Sequence, residues 1–383
     1  MKDESRVEEE RGVVRAADGL YVHVPFCLSR CPYCHFYSTV DPAFIPDWAA
    51  AVEREAVFYR SLFTRFDTIY FGGGTPSLLP TNIPGRLLEV FRRLFSIDSA
   101  AEITLEANPG DLTPESLQGF KGLGINRISL GVQSLDDRDL RFLKRRHTAA
   151  QALEAVEGIR GAGFKNLSLD LIYGIPGQTA ETWQETLEKA ARLQPEHLSC
   201  YELTAEPGTV LGRAVRTGGV GLPGENERRD FFLQTSSFLA ARGYEHYEVS
   251  NFARGTVHYA RHNQKYWDHR RYLGLGPSAH SFDGRRRWWN ARTLKSYLER
   301  LGQGRLPAGG EETLTPEQRR LEVLLLGFRT RSGVALKDLS LNREREKVLT
   351  ALEENGKIIR QQDRMIPTPA GFLVADRLPL FFC

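Results

Sequence analysis

The sequence predicts an α/β fold: a six-unit (β/α) sheet curled into an incomplete barrel, followed by an α+β, winged-helix-like C-terminal region. Three observations predict it. Short apolar β-rich runs alternate about six times with longer amphipathic stretches, which gives a parallel sheet with right-handed crossovers. The polar motifs sit at or just after the ends of those runs, where parallel α/β folds carry their sites. The alternation stops near residue 205. A flat doubly wound sheet fits the same alternation and competes with the curled geometry.

The strands are expected at 20–24 (LYVHV), 68–71 (TIYF), 103–106 (ITLE), 127–132 (RISLGV), 167–172 (LSLDLI) and 198–203 (LSCYEL). They are nearly continuous in apolar residues, as strands covered on both faces are. Helices are expected at 46–63, 83–94, 114–123, 149–162 and 179–193, where apolar residues recur at helical spacing. Residues 206–310 are rich in Gly, aromatics and Arg and read as an irregular, pocket-forming segment. Two helices at 316–330 and 343–355, then a hairpin around Gly356–Pro367, complete a module spanning 311–383. The division is therefore 1–17 (charged extension), 18–205 (partial barrel), 206–310 (ligand-handling segment) and 311–383.

The 383 residues include 51 Lys and Arg against 48 Asp and Glu, a net charge of +3. That balance gives no electrostatic footprint for nucleic acid, and the C-terminal module has no concentrated basic stripe. No apolar run approaches the length of a membrane span, and the charged N-terminus lacks the apolar stretch of a secretory signal. A cytoplasmic protein is expected, associated with membranes only through partners.

Five cysteines are present, and three of them, Cys27, Cys31 and Cys34, fall within eight residues directly after the first strand. Pro25 and Pro32 keep this segment out of a regular helix, so a loop can wrap three thiolates round one centre. Three thiolates can hold three irons of a [4Fe–4S] cluster and leave the fourth open. A glutaredoxin-like dithiol at Cys31 and Cys34, and a zinc site completed by His35 or His23, are the rival readings. Cys200 lies mid-strand and reads as a buried small apolar residue.

The C-x3-C-x2-C spacing is the one radical S-adenosylmethionine proteins use. Together with YVHVPFC, FGGGTPS, GVQS, SLDLIYGIPGQT, YELTAEPGT, YEVSNFAR, RHNQKYW and YLGLGPSAHS, it makes the chain resemble the radical-SAM family of oxygen-independent coproporphyrinogen III oxidases and their relatives. The resemblance runs from about residue 18 to the end and is strongest to the HemW-type heme chaperones. It implies a radical-SAM partial barrel that carries the cluster on Cys27, Cys31 and Cys34. It implies S-adenosylmethionine at Gly73, Gly74, Thr75, Glu106, Gln133, Arg145 and Asp170, with Tyr21 and Thr204 as further contacts. It implies heme at His262, Asn263, Tyr266 and Trp267, an HNxxYW motif. Beside that motif, Arg261, Arg270 and Arg271 suit the propionates by charge, and His280 is the second candidate ligand.

Two departures bear on activity. Relatives of this subgroup usually carry Asp after the third cysteine, where this chain has His35. The decarboxylating oxidases carry an extra cysteine one position further, where this chain has Phe36, and a longer N-terminal arm. The resemblance thus implies a heme chaperone that serves heme-requiring, respiratory membrane proteins, with an electron donor for its cluster. Anaerobic coproporphyrinogen III dehydrogenase is the enzyme alternative, and a heme-degrading radical-SAM methyltransferase a third.

Overall fold

The computed structural model describes residues 17–382; residues 1–16 of the charged extension and Cys383 lie outside it. Six strands lie side by side in chain order and run parallel: β1 (Asp18–Val24), β2 (Arg65–Gly73), β3 (Ser96–Ala107), β4 (Arg127–Gln133), β5 (Leu167–Tyr173) and β6 (His197–Glu202). The helices between them are α1 (Ile45–Phe58), α2 (Asn82–Leu94), α3 (Pro114–Gly122), α4 (Asp137–Phe142), α5 (Ala149–Gly161) and α6 (Ala180–Arg192). Reciprocal caps start three of them: Thr113 with Ser116, Thr148 with Gln151 and Thr179 with Thr182.

Two helical expectations need correction. Helix α1 stops at Phe58, five residues before the expected end. Phe63 instead enters the core and stacks on Phe66, with 6.0 Å between ring centroids. Helix α4 was not expected, because six residues are too few for a periodic pattern. Its signal is the Asp136 carboxylate, which accepts from the Arg138 amide.

Residues 206–310 are not irregular. After α7 (Val210–Arg216) and α8 (Glu225–Ala240), strands β7 (Glu245–Glu248) and β8 (Asn251–Ala253) pair antiparallel, and β8 extends the sheet beyond β6. Helix α9 (Arg261–Trp267) then crosses to the other edge. There β9 (Tyr272–Leu275) joins β1 in parallel, followed antiparallel by β10 (His280–Phe282), β11 (Arg286–Asn290) and β12 (Ala308–Thr313). Helix α10 (Leu294–Gly302) lies between the last two strands. Among the described residues one sheet of 12 strands results. Strands of three to six residues punctuated by glycine carry too little alternation to be read in advance.

The sheet is curled, and α9 shows why. The Ala260 amide, just before the helix, donates to Tyr247 on β7, and Arg127 on β4 donates to the His258 carbonyl. Two residues on, His262 pairs with Thr68 on β2. Strands β2 and β7 are six places apart in the sheet, about 29 Å if it were flat at ~4.8 Å per strand. Only a curled sheet brings both to one helix turn. Helix α9 therefore closes the end of the barrel where the strands begin. Gly19 lets it approach, because a Cβ there would fall 2.8 Å from Lys265 Cδ and 3.1 Å from His262 Cε1.

The C-terminal module holds α11 (Pro316–Gly327), β13 (Val334–Ala335), α12 (Arg343–Glu354), β14 (Ile358–Gln361), β15 (Arg364–Pro367) and α13 (Pro369–Phe372). Its three strands form a separate antiparallel sheet over a small core that includes Phe328, Leu349 and Met365. It joins the barrel by backbone pairing, Val249 N to Arg329 O at 2.9 Å and Arg331 N to Tyr247 O at 2.8 Å. Among the described residues no helix is long and apolar enough to cross a membrane.

Glu248 is buried at this junction. One carboxylate oxygen accepts from the Ser250 amide at 3.2 Å and the other has no partner. Burial pushes the carboxyl up to about 8, with the Ser250 and Asn251 contacts acting the other way. Raising an acid's pKa in the folded state gives stability that is full below the unfolded value near 4.5 and is lost as pH rises through 8. Glu248→Gln is therefore expected to gain about 4 kcal/mol over the parent protein between pH 5 and pH 8.5. Urea midpoints at the two pH values check this, and parallel curves for both proteins would refute it.

Candidate functional site

The loop after β1 is built to hold its three thiols in place. The Cys27 amide donates to the Thr39 carbonyl at 2.9 Å, and the Thr39 amide donates to the Pro25 carbonyl at 2.6 Å. The Cys34 amide closes a turn on the Cys31 carbonyl at 3.2 Å. Strand β2 ends against the same loop: the Gly74 amide donates to Val24 O at 2.7 Å, and the Thr75 amide to Phe26 O at 2.8 Å. The Thr75 hydroxyl points to Cys27 Sγ at 3.6 Å. Burial raises the Cys27 and Cys34 thiols, and the Thr75 hydroxyl acts the other way on Cys27.

These residues stand at one cavity of about 820 Å³ at the C-terminal ends of the strands. Cys27, Cys31, Cys34, Gly73, Gly74, Thr75, Glu106, Gln133, Arg145, Asp170, Thr204 and Asn263 all line it. Glu106, near the end of β3, accepts from the Gly73 amide at 2.9 Å and the Tyr70 hydroxyl at 2.8 Å. Burial lifts its carboxyl to about 7 against those two bonds, and the Asp170 charge adds to the lift. Asp170 on β5 accepts from Ser129 at 3.0 Å and from Ser168 at 3.3 Å, and burial raises it too. Gln133 ends β4 at φ 69°, at an irregularity in the β4–β5 register. That backbone is uncommon for a residue with a side chain.

Arg145 connects the carboxylate side to the thiols. Its guanidinium donates to Cys31 Sγ at 3.4 Å, to Gly131 O at 2.8 Å and to Asn108 Oδ1, while its buried Nε has no partner. Asn108 in turn donates to the Thr75 hydroxyl at 3.1 Å. Asn108 and Tyr70 are site residues the sequence reading missed. Asn108 follows Glu106 by two positions at a strand end, a signal that was available. Tyr70 was hidden inside an apolar run.

Donor chemistry and geometry together fit an iron–sulfur cluster with a zwitterionic ligand beside it. Thiolates are soft donors suited to iron–sulfur centres. The unpartnered Arg145 Nε offers a donor to an incoming carboxylate. Glu106 and Asp170 offer acceptors to a cation or to hydroxyls.

Four expected contacts are not cavity residues. Tyr21 lies behind Tyr70, ring on ring at 6.1 Å, and its hydroxyl pairs with His23 Nδ1 at 3.1 Å. His262, Tyr266 and Trp267 belong to the α9 plug. His262 is 1% exposed, and both ring nitrogens are taken, by Thr68 at 2.8 Å and Tyr266 at 2.8 Å. Burial and the neighbouring Lys265 hold it neutral, down to about 3. The imidazole expected to meet heme iron is here hydrogen-bonded within the barrel. The arginines expected at propionates are also engaged, Arg261 with Asp67, Arg270 with Asp268 and Arg271 with Asp18. His280 is exposed on β10 and stacks on Trp289, away from the cavity lining.

The Radical SAM superfamily profile matches residues 21–190, and the HemN C-terminal domain profile matches residues 314–374. Heme chaperone HemW of Mycobacterium tuberculosis is 37% identical over 366 residues, covering 94% of this chain and 93% of that protein. The chain belongs to the HemW-type family of radical SAM proteins. Heme chaperone HemW of Bacillus subtilis is 32% identical, covering 94% of this chain and 97% of its own length. A mitochondrial radical S-adenosyl methionine domain-containing protein 1 from Bos taurus is 34% identical over 87% of this chain and 72% of its own. In fold, the chain matches coproporphyrinogen III oxidase (HemN) from Escherichia coli, with a TM-score of 0.82 at 23% identity, over 100% of this chain and 93% of that one. The incomplete barrel and its C-terminal module thus stand as the sequence predicts them.

Proposed function

We propose that this HemW-type protein is a heme chaperone that carries a [4Fe–4S] cluster on Cys27, Cys31 and Cys34 and binds S-adenosylmethionine beside it. It takes up heme and passes it to heme-requiring respiratory proteins. The observation that carries this reading is likeness along nearly the whole chain to proteins named as heme chaperones, 37% identical over 94% of the chain. The amino and carboxylate groups of S-adenosylmethionine would take the open iron. Arg145 Nε faces the carboxylate, and Asp170 or Glu106 takes the ribose hydroxyls or the sulfonium.

Phe36 supports the chaperone over the dehydrogenase. It stands 70% exposed at the cavity, at the position where decarboxylating relatives carry their extra cysteine, so no fourth thiol is offered there. Two measurements test the reading. Cluster-loaded protein titrated with hemin should saturate near one equivalent. The same protein with coproporphyrinogen III, S-adenosylmethionine and a reductant should yield no protoporphyrinogen beyond a single turnover. Repeated turnover would reverse the order of the two readings.

A further inference from the structure

We propose that heme is held at the mouth of the cavity by His35, the residue directly after the third cluster cysteine. This rests on the heme-binding reading above and names its ligand. His35 is exposed and lines the cavity, whereas the His262 imidazole has both nitrogens engaged beneath the barrel floor. An axial ligand must present a free ring nitrogen to iron.

The surroundings of His35 match the rest of a heme. Phe36 and Leu28, 70% and 53% exposed, line the same cavity. Adjoining exposed apolar side chains beside a polar cavity mark a surface that something apolar covers. A porphyrin face is flat, apolar and able to stack on an aromatic ring. Arg292 and Lys144 also line the cavity, and neither is in an ion pair among the described residues. Two cations suit two propionates.

The segment is fixed, which a ligand residue requires. The Tyr37 carbonyl accepts from His23 Nε2 at 2.9 Å, and the Tyr37 hydroxyl accepts from the Leu294 amide at 2.7 Å. The second bond also ties the chain two residues after Arg292 to this segment. The iron bond needs only the imidazole lone pair, with water leaving the metal.

The test is a hemin titration of cluster-loaded protein, followed at the Soret band, with His35→Ala, His35→Gly and Arg292→Glu. His35 and Arg292 are exposed, so the variants should keep the parent's iron content. His35→Ala is expected to shift the Soret band and weaken binding about 10-fold, and Arg292→Glu to weaken it about 3-fold without a shift. Added imidazole should restore the parent spectrum in His35→Gly, which a merely structural role would not allow. Hemin bound by the parent and by His35→Ala with identical spectra and affinity would overturn the His35 assignment and leave the chaperone reading intact. A shift in His35→Gly that imidazole does not reverse would overturn it equally. Failure of the parent protein to bind hemin would instead overturn the chaperone reading itself.

Discussion

Cys31→Ala is expected to abolish the cluster: iron should fall from about four per chain to below one, and the broad absorption near ~400 nm should disappear. Cys31 is the middle thiol of the loop, and it accepts a hydrogen bond from Arg145 at 3.4 Å. Its loss leaves two thiolates, which cannot hold three corners of a cube. It also leaves the guanidinium without that sulfur, with Gly131 O and Asn108 as its remaining acceptors. The consequence for the cofactor follows by contact. S-adenosylmethionine anchored on the open iron should no longer perturb an electron paramagnetic signal, because no cluster remains. Folding should survive, since Cys31 is half-exposed and lies in a loop. Iron and sulfide assays on anaerobically reconstituted parent and variant decide the matter. Iron retained in the variant, or stoichiometric zinc in the parent, would refute the cluster assignment.

The six parallel strands and the strand-end residues were legible because each rests on a short-range signal. Apolar runs bounded by turns mark the strands. Cys27, Glu106 and Gln133 stand at or near their ends, while Asp170 stands in the middle of β5. What could not be read was curvature and exposure. Whether six strands lie flat or curl depends on contacts such as Ala260 with Tyr247 and His262 with Thr68, which no local pattern encodes. The same limit explains the placement of His262. The residues at 262–267 are a motif in sequence, but a helix packed across the barrel floor turns the imidazole onto Thr68 and Tyr266. His35 shows the converse. Next to a cysteine it was an anomaly in the motif; in the fold it stands on an open rim.

The fate of Gly73 is the second large effect, and the structure changes the reason for it. In the sequence the glycine reads as room for a ligand. In the fold its φ is 113°, and a Cβ there would fall 2.6 Å from the imidazole of His23. That ring cannot easily retreat, because Nε2 donates to the Tyr37 carbonyl at 2.9 Å and Nδ1 accepts from Tyr21 at 3.1 Å. Burial keeps it neutral, down to about 4. Two costs therefore add in Gly73→Ala. The backbone conformation costs roughly 1–3 kcal/mol for a residue with a side chain, and overpacking costs about 1–3 kcal/mol. The variant is expected to lose about 2–6 kcal/mol in urea unfolding, before any ligand is added. The amide that Gly73 donates to Glu106 should move with the strand end, so affinity for S-adenosylmethionine should fall as well. A second variant separates the two costs. His23→Ala removes the ring that the new methyl meets, so Gly73→Ala made on that background should cost only the backbone share, about 1–3 kcal/mol. Equal losses in both backgrounds would show that His23 yields without cost and that backbone strain alone demands glycine at this strand end.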